Sequence, residues 1–289
     1  MSNQITEAFV QEFDRNFRQV AQQKVSRFES AVMIEPNIVG ESKSINRLGQ
    51  RAAQQRTIRH GDTPLNDQPH STRYIDLTDW EDGDMIDDQD KIRMLVDPKS
   101  DYVQAMVMGL NRAKDDRAIV AMGGGSRSKS QGTVALTAGQ KIAVGGTGLT
   151  RAKLVAARVL FRRNEADDEN GEELYIGVHA TGLSDLLTDT ALTNSEYNTV
   201  LSLQQGNIKG GFLLGFRPVL SERFIKTGAT RMVYAWAKTG VVLGYGEQIV
   251  TRVGEDPGKS FNVRVYAKMS LGAVRVEEEK VVEIACNDP

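Results

Sequence analysis

SINRLGQRAAQQRTIRHGDTPLNDQPHSTR, residues 44–73, is a long polar and basic stretch between two strand-like segments. Its few sizeable aliphatic residues are Ile45, Leu48, Ile58 and Leu65. A loop of this length inside a compact domain is uncommon, and is usually either functional or disordered. The segment HGDTPLND, residues 60–67, predicts a turn near its middle, so the stretch should fold back on itself as an extended arm. This polar arm has little to pack against in its own domain, which favours support from a neighbouring molecule and a role in assembly over catalysis.

The composition is that of a globular protein. The chain has 289 residues, of which 40% are hydrophobic and 26% charged, so wholesale disorder is excluded. Its formal net charge of −2 argues against a dedicated nucleic-acid binder, which needs a strongly basic face. The single cysteine, Cys286, cannot form an intrachain disulfide. No signal peptide and no apolar run long enough to span a membrane is visible, so the sequence predicts a soluble protein made in a reducing cytoplasm.

The regions on either side of the arm alternate between helical and strand patterns. Before the arm, apolar residues recur at helical spacing from Ile5 to Val32, with Phe28 among the last of them, and Pro36 ends the pattern. After it, residues 72–80 alternate as one half-exposed strand, and an acidic run follows over residues 81–90.

The second half of the chain begins with helical signals and continues with strands. A helix is expected after Ser100 or Asp101, and another over residues 151–164 with Thr150 as its N-cap. A buried strand at 174–180, a helix beginning near Ser184 and a helix ended by Gly206 come next. From residue 212 strands dominate, and the segment EDPGKS (255–260) between two alternating runs predicts a long hairpin. The pattern predicts one α+β unit with intimately connected lobes.

The chemical motifs do not assemble into an enzyme signature. The loop GGGSRSKS, residues 123–130, departs from a phosphate-binding loop because Ser128 stands where the second glycine is needed and a strand follows. The acidic run fails the calcium-loop register and is better interpreted as a solvated face or as a partner for arginines of another subunit. The three histidines, His60, His70 and His179, lack metal-ligand spacing. We therefore predict no catalytic, cofactor-binding or metal site.

The order of these parts resembles the major capsid proteins of tailed bacteriophages with the HK97-type fold. The similar segments are QQKVSRFESAV (22–32), HGDTPLND (60–67), TRYIDLTDWEDGDMIDDQDKIRMLVDPKSDY (72–102), LTRAKLVAARVLF (149–161) and DLLTDTALTNSEYNTVLSLQQGNIKGGFLLGFRPV (185–219). The resemblance implies a structural shell protein with an HK97-like α+β fold. The implied layout is an N-terminal arm over 1–41, an extended E-loop hairpin over 42–80, a P-domain over 81–173 with a spine helix at 151–164, an A-domain over 174–245, the long P-domain hairpin over 246–272 and a C-terminal strand over 273–289.

The resemblance also implies partners and a location. Copies of the chain would form pentamers and hexamers that close into an icosahedral head around double-stranded DNA, assembled in the cytoplasm of a host bacterium. A separate scaffolding protein and a portal are expected, a cement protein is possible, and no membrane partner is implied. As an inter-subunit interface we expect basic residues of the polar arm to meet acidic residues of an adjacent subunit: Arg47, Arg51, Arg56 and Arg59 against Asp82, Asp84, Asp87 and Asp88.

The chain departs from the family in one respect, and two alternative functions remain for it. Some relatives join subunits by a lysine–asparagine isopeptide bond with the lysine on the E-loop, but this chain has no lysine between Lys43 and Lys91, so that crosslink is not expected. The first alternative is an encapsulin-like compartment shell, which shares the fold and encloses protein cargo. The second is a nucleotide-dependent soluble enzyme that uses the 123–130 loop.

Overall fold

The computed structural model describes residues 21–59, 63, 65–86, 99–188 and 212–289. In these residues the helices are α1 (Lys99–Gly123), α2 (Arg151–Arg163) and α3 (Ala180–Thr188). The strands are β1 (Met33–Glu35), β2 (Ser42–Leu48), β3 (His70–Asp76), β4 (Thr78–Ile86), β5 (Ser126–Ser128), β6 (Gly132–Val134), β7 (Lys141–Ile142), β8 (Leu174–Val178), β9 (Arg217–Leu220), β10 (Lys226–Thr227), β11 (Thr230–Ala237), β12 (Val241–Asp256), β13 (Asn262–Arg275) and β14 (Val281–Asn287). Three sequence predictions lie wholly or partly outside the described residues: the N-terminal helical stretch before residue 21, the turn at 60–67, of which 60–62 and 64 are not described, and the helix ended by Gly206.

The strands form three sheets, with orders β1-β12-β13-β4, β7-β14-β11-β8-β9 and β2-β3-β5-β6, and β10 pairs with β11 in the second. Together with the helices they give the mixed α+β architecture that the sequence predicts. None of the described helices is long and apolar enough to cross a membrane.

The six-stranded sheet contains the main core. Its strand β8 is buried along its whole length, as the apolar run LYIGV predicts. The indole of Trp236 on β11 stacks on Phe28 and on Tyr175, with ring centroids 5.5 and 6.0 Å apart. Phe28 and Trp236 are both fully buried. The residues just before β1 are thereby tied to the central strands of the sheet.

The predicted long hairpin is confirmed. Strands β12 and β13 pair in antiparallel register from Val241↔Arg275 to Asp256↔Asn262 around the EDPGKS segment. Strand β4 adds to the free side of β13, and α1 packs against β13 and β12. One face of β13 is therefore buried, with Val263, Val265, Ala267 and Met269 covered, while the alternating residues lie on the outer face. We refer to β12, β13 and β4 together as the ribbon.

Residues 72–80 do not form the single strand that their alternation predicts. The chain leaves β3 at Asp76 and enters β4 at Thr78, and these two strands belong to different sheets. At the break, the backbone N–H of Leu77 donates to the carbonyl of Glu41 at 3.0 Å. A period-2 pattern continues through such a break because both strands alternate, so the sequence alone does not reveal it.

Residues 22–32, which we call the strap, also differ from the helix that their spacing predicts. They contain only a 3-10 turn at Glu29–Ala31, although Phe28 and Val32 are buried as expected of a core-facing stripe. The backbone N–H groups of Arg27 and Phe28 donate to the carboxylate of Asp115 on α1, at 3.0 and 3.4 Å. At Arg27 and Phe28 these hydrogen bonds take the place of intrahelical ones and anchor the irregular strap to α1.

The positions of helices α1 and α2 can be compared with the expected domain layout. The helix predicted at 151–164 is α2, which begins after Thr150 and has 13 residues. It packs against β7 and β14 of the six-stranded sheet, which also contains β8. The expected boundary at residue 174 therefore passes through one sheet. The longest described helix is α1, with 25 residues.

Candidate assembly surfaces

The base of the polar arm is a regular hairpin that is bound to the body of the protein by a buried ion pair. Strands β2 and β3 pair from Ser42↔Asp76 to Leu48↔His70. The guanidinium of Arg73 is 3% exposed and donates to Glu278 at 3.0 Å. Arg47 donates to the second carboxylate oxygen of Glu278 at 3.1 Å. Two cations on one buried carboxylate fix the direction in which the arm leaves the body.

Beyond Leu48 the outgoing and returning segments of the arm, its two limbs, are held together mainly by hydrogen bonds of side-chain amides. One backbone hydrogen bond continues the ladder, from Gly49 N–H to the Pro69 carbonyl at 2.9 Å. Asn66 then donates to the carbonyl of Ala52 at 2.8 Å and accepts from Gln54 at 2.9 Å. Gln68 donates to the carbonyl of Gly49 at 2.6 Å. The run of Gln and Asn residues thus keeps the limbs side by side without an apolar core.

The arm exposes apolar and basic side chains together. Leu48, Ile58 and Leu65 are 69%, 69% and 94% exposed. Arg51 and Arg56 donate only to the backbone carbonyls of Asn66 and Ile58, and both side chains are exposed. Within the described ranges, no carboxylate lies within ion-pair distance of Arg51, Arg56 or Arg59.

Arg47 differs from the other three arginines that we predicted for an inter-subunit interface. Besides Glu278 it contacts the carboxylate of Glu279 at 3.7 Å, and its side chain is only 20% exposed. Its charge is therefore already neutralised within its own chain, whereas Arg51, Arg56 and Arg59 remain on the surface.

The acidic run lies on β4, an edge strand of the ribbon. Residues 78–85 are all exposed, and Ile86 is the first buried residue of the run. Asp82 and Asp84 are in register with the buried residues Ala267 and Val265, which places them on the side of α1. Alternation places Asp79 and Glu81 on the outer face. Asp87 and Asp88 lie outside the described residues.

Two buried cations, Arg275 and Lys153, were not among the functional residues predicted from the sequence. Each of them joins separate segments of the fold. Arg275 is fully buried and donates to the carbonyls of Met122 and Gly124 at 2.7 Å each and to that of Val134 at 3.0 Å. Burial lowers the pKa of this guanidinium. Because these carbonyls belong to the end of α1 and to the β5–β6 hairpin, Arg275 joins both to the ribbon. A lone arginine in an alternating strand gives no local signal of this role.

Lys153 has a similar position under α2. Its ammonium donates to four backbone carbonyls, those of Val144, Thr147, Gly148 and Ala285, at 2.7–2.9 Å. Burial lowers its pKa as well. The side chain therefore joins the loop before α2 to strand β14.

The glycine-rich loop at residues 123–130 has a structural role. Gly123 ends α1, and residues Ser126–Ser128 form β5, which pairs with β6 and β3. Ser126 and Ser128 are buried, and the Gly124 carbonyl accepts from Arg275. A phosphate cradle needs free N–H groups in a loop before a helix, and this segment is a strand after one.

Cys286 and His179, the remaining side chains with reactive groups, lie in buried surroundings that fit a structural role. Burial raises the pKa of the Cys286 thiol to about 11, which leaves it protonated and weakly nucleophilic near neutral pH. His179 is 1% exposed, and burial, followed by the nearby Arg231, lowers its pKa. Among the residues with described positions, no cluster of His, Cys, Asp or Glu could hold a metal ion.

Comparison with known proteins places this architecture among viral shells. A family model described as "Phage capsid protein" matches residues 5–288. The capsid structure of cyanophage P-SCSP1u aligns with a TM-score of 0.72 at 17% identity, covering 99% of this chain and 95% of that one. The capsid of Ralstonia phage GP4 gives 0.74 at 12% identity, covering 97% and 96%. The capsid of a native GTA particle gives 0.71 at 9% identity, covering 97% and 96%. No curated protein sequence matches the chain. At these identities the structural matches establish a shared fold.

Proposed function

Because this chain belongs to the phage capsid protein family, as a structural protein of the virion shell, we propose that it is the major subunit of an icosahedral head and assembles into pentamers and hexamers. The observation that carries the proposal is the polar arm. It leaves the body as an ordered hairpin, yet presents Leu48, Ile58 and Leu65 to solvent. An ordered projection with exposed aliphatic residues gains its full stabilisation only when another molecule covers it.

The charged residues suggest how neighbouring copies would meet. Arg51, Arg56 and Arg59 would lie against the acidic β4 edge of an adjacent subunit, at Asp82 and Asp84, with Asp87 and Asp88 continuing that run. The arginines are exposed and without carboxylate partners among the described residues, and β4 is exposed along residues 78–85. Such rim charges set register and association rate, while the apolar residues supply most of the affinity. Arg47 is left out of this interface because Glu278 and Glu279 already neutralise it.

A charge-reversal pair tests that interface. Arg56→Glu with Arg59→Glu should reduce assembly, because both changes would place carboxylates against carboxylates. Adding Asp82→Arg and Asp84→Arg to the same chain should restore part of it. The matched control is Arg151→Glu with Arg163→Glu, two charge reversals at exposed positions of α2, outside the sheet that contains the arm. Normal assembly of the Arg56→Glu, Arg59→Glu variant would refute the pairing.

The domain layout is proposed with two changes. We keep the N-terminal arm at 1–41, the E-loop at 42–80 and the long hairpin at 246–272. The spine helix is reassigned from 151–164 to α1, since α1 has 25 residues and lies along β13 and β12. Helix α2 and strand β7 are grouped with β8, β11 and β14 in the A-domain, because they share one sheet.

Further partners follow from the class of protein. We propose a separate scaffolding protein and a portal, double-stranded DNA held without sequence recognition, assembly in the host cytoplasm, and a cement protein in some particles. The chain would have no catalytic activity. The encapsulin-like and nucleotide-enzyme alternatives are not favoured.

Electron microscopy of the purified chain, alone and with its scaffold, tests the proposal. Closed shells or capsomer rings are expected, with DNA as cargo in particles from infected cells. Monomers that persist under both conditions, together with ATP binding, would refute the assembly role. A co-purifying enzyme inside the shells would instead identify a cargo compartment.

A further inference from the structure

The tip of the ribbon has an unusual backbone. Residues 256–261 connect β12 to β13, and the carboxylate of Asp256 accepts from Gly258 N–H at 3.0 Å. The N–H of Phe261 donates to the Asp256 carbonyl at 3.1 Å. Ser260 and Phe261 both have left-handed backbones, with φ of 56° and 61°. Glycine and asparagine usually occupy such positions, and a bulky side chain there is a genuine outlier.

The side chain of Phe261 does not offset this strain within its own chain. It is 59% exposed, and Val253 on β12 is 51% exposed. A strained residue persists when its surroundings over-determine it, and such residues concentrate at functional positions. The hydrogen-bonded turn therefore holds an aromatic ring outside the protein, where only another molecule can cover it.

A concave surface that suits an aromatic ring lies beside the tip, on the outer face of the ribbon. It has a volume of about 470 Å³, and its lining includes Glu81, Arg252, Pro257, Arg264 and Tyr266. We call it the shelf. The hydroxyl of Tyr266 donates to Glu81 at 2.8 Å, and the guanidinium of Arg264 lies 5.5 Å from the centre of the Tyr266 ring.

Two glycines keep the shelf open. Gly83 is in register with Tyr266 on one side, and Gly254 is in register with Arg264 on the other. Neither glycine contributes a side chain, so each leaves one side of Tyr266 or Arg264 open, while Arg252 and Met85 are in register with them on the other side. Among the described residues, the lining does not include the Phe261 ring of the same chain.

We propose that Phe261 of one copy packs into the shelf of a second copy, against Tyr266 and the guanidinium groups of Arg252 and Arg264. The inference rests on the proposed function, which supplies identical neighbours at high local concentration. Aromatic and arginine side chains are the commonest anchors of protein interfaces, and an arginine beside an aromatic ring adds a cation–π attraction. The shelf carries both signs of charge, because its lining contains Glu81, Glu255 and Asp256 beside the two arginines, so the contact would rest on the Phe261 ring rather than on net charge.

The tip and the shelf adjoin at Pro257, so two symmetries satisfy the contact. Two copies exchange tips around a two-fold axis, or each copy inserts its tip into one neighbour and accepts the tip of another. Both kinds of contact link neighbouring copies of one chain. This junction uses neither the polar arm nor β4 residues 82 and 84.

Phe261→Gly is the decisive variant, because glycine accepts the left-handed backbone and the change removes only the ring. Ser260→Gly is the matched control, since it relaxes the adjacent position and keeps the ring. Arg252→Ala removes one guanidinium from the shelf at an exposed site. Sedimentation across a concentration series would measure the concentration at which half of the protein is in particles, and thermal unfolding would check the unassembled subunit.

We expect this concentration to rise about 30-fold for Phe261→Gly, the effect of losing one interface hot spot. Arg252→Ala should raise it less, Ser260→Gly should leave it unchanged, and no variant should unfold at a lower temperature than the wild type. Wild-type assembly by Phe261→Gly would overturn the inference, as would equal losses in Phe261→Gly and Ser260→Gly. If the wild-type chain formed no particles either alone or with its scaffold, the proposed function would fail and this contact with it.

Discussion

Removal of the Asp115 carboxylate should detach the strap from α1. Asp115 is fully buried, and its oxygens accept from the backbone N–H groups of Arg27 and Phe28 and from the side chains of Gln23 and Ser26. Asp115→Ala leaves these donors without an acceptor. Each orphaned buried donor costs about 1–3 kcal/mol, and water can reach the more exposed ones. We therefore expect the free energy of unfolding to fall by about 3–5 kcal/mol.

The neighbouring residue provides a matched control. Asp116 pairs with Arg223 at a partly exposed site, with side chains 40% and 33% exposed. Asp116→Ala removes the same chemical group one position along the same helix, but should cost at most about 1 kcal/mol.

The fluorescence of Trp236 can report the strap directly. Its indole N–H donates to the carbonyl of Ala31 at 2.8 Å and its ring stacks on Phe28. Urea unfolding of dilute, unassembled subunits in a Trp80→Phe background would follow this one tryptophan. If Asp115→Ala and Asp116→Ala agreed within about 0.5 kcal/mol, the anchoring role of Asp115 would be refuted.

Three further outcomes are expected. The pKa of His179 is lowered by burial and then by Arg231, so the unfolded chain takes up a proton first as the pH falls below about 6.5. The contribution of His179 to stability should therefore decline below that pH and be flat above it. His179→Gln should remove this part of the decline in urea titrations at pH 7.5 and 5.5, and an identical pH dependence in the variant would contradict it. Assembled particles should dissociate to single chains on denaturing gels, because the polar arm has no lysine for an isopeptide bond, and a covalent ladder would disprove this. Native Cys286 should resist alkylation at pH 8, since burial raises its pKa to about 11, whereas urea-unfolded chain should react at the rate of a free thiol.

Sequence reasoning succeeded where the signal is local. The hairpin around EDPGKS follows from two alternating runs about a turn, and α2 follows from its apolar period after Thr150. The polar arm follows from a stretch with too few aliphatic residues to form a core. The resemblance to capsid proteins, carried by the order of these segments, predicted the family that the full-length comparison shows.

The incorrect predictions from the sequence share one physical cause. Alternation and helical spacing describe only residues that are neighbours along the chain. They do not reveal that residues 72–80 change sheets at Leu77, or that the strap bonds to a helix rather than forming one. The proposed reassignment of the spine helix has the same origin, because a hydrophobic period does not show which sheet a helix packs on.

The sequence by itself determined the class of the protein, through the resemblance carried by the order of its segments. It also determined the projecting arm, the long hairpin and the absence of an arm lysine, because each of these depends on residue types within a short window. Only the tertiary structure decided which charges are already neutralised. Glu278 binds Arg47 and Arg73 across more than 200 residues of chain, and Asp115 binds the strap about 90 residues before it. A buried charge needs a partner, and that partner can lie far away along the chain. Packing therefore decides which arginines form ion pairs within the chain and which remain on the surface.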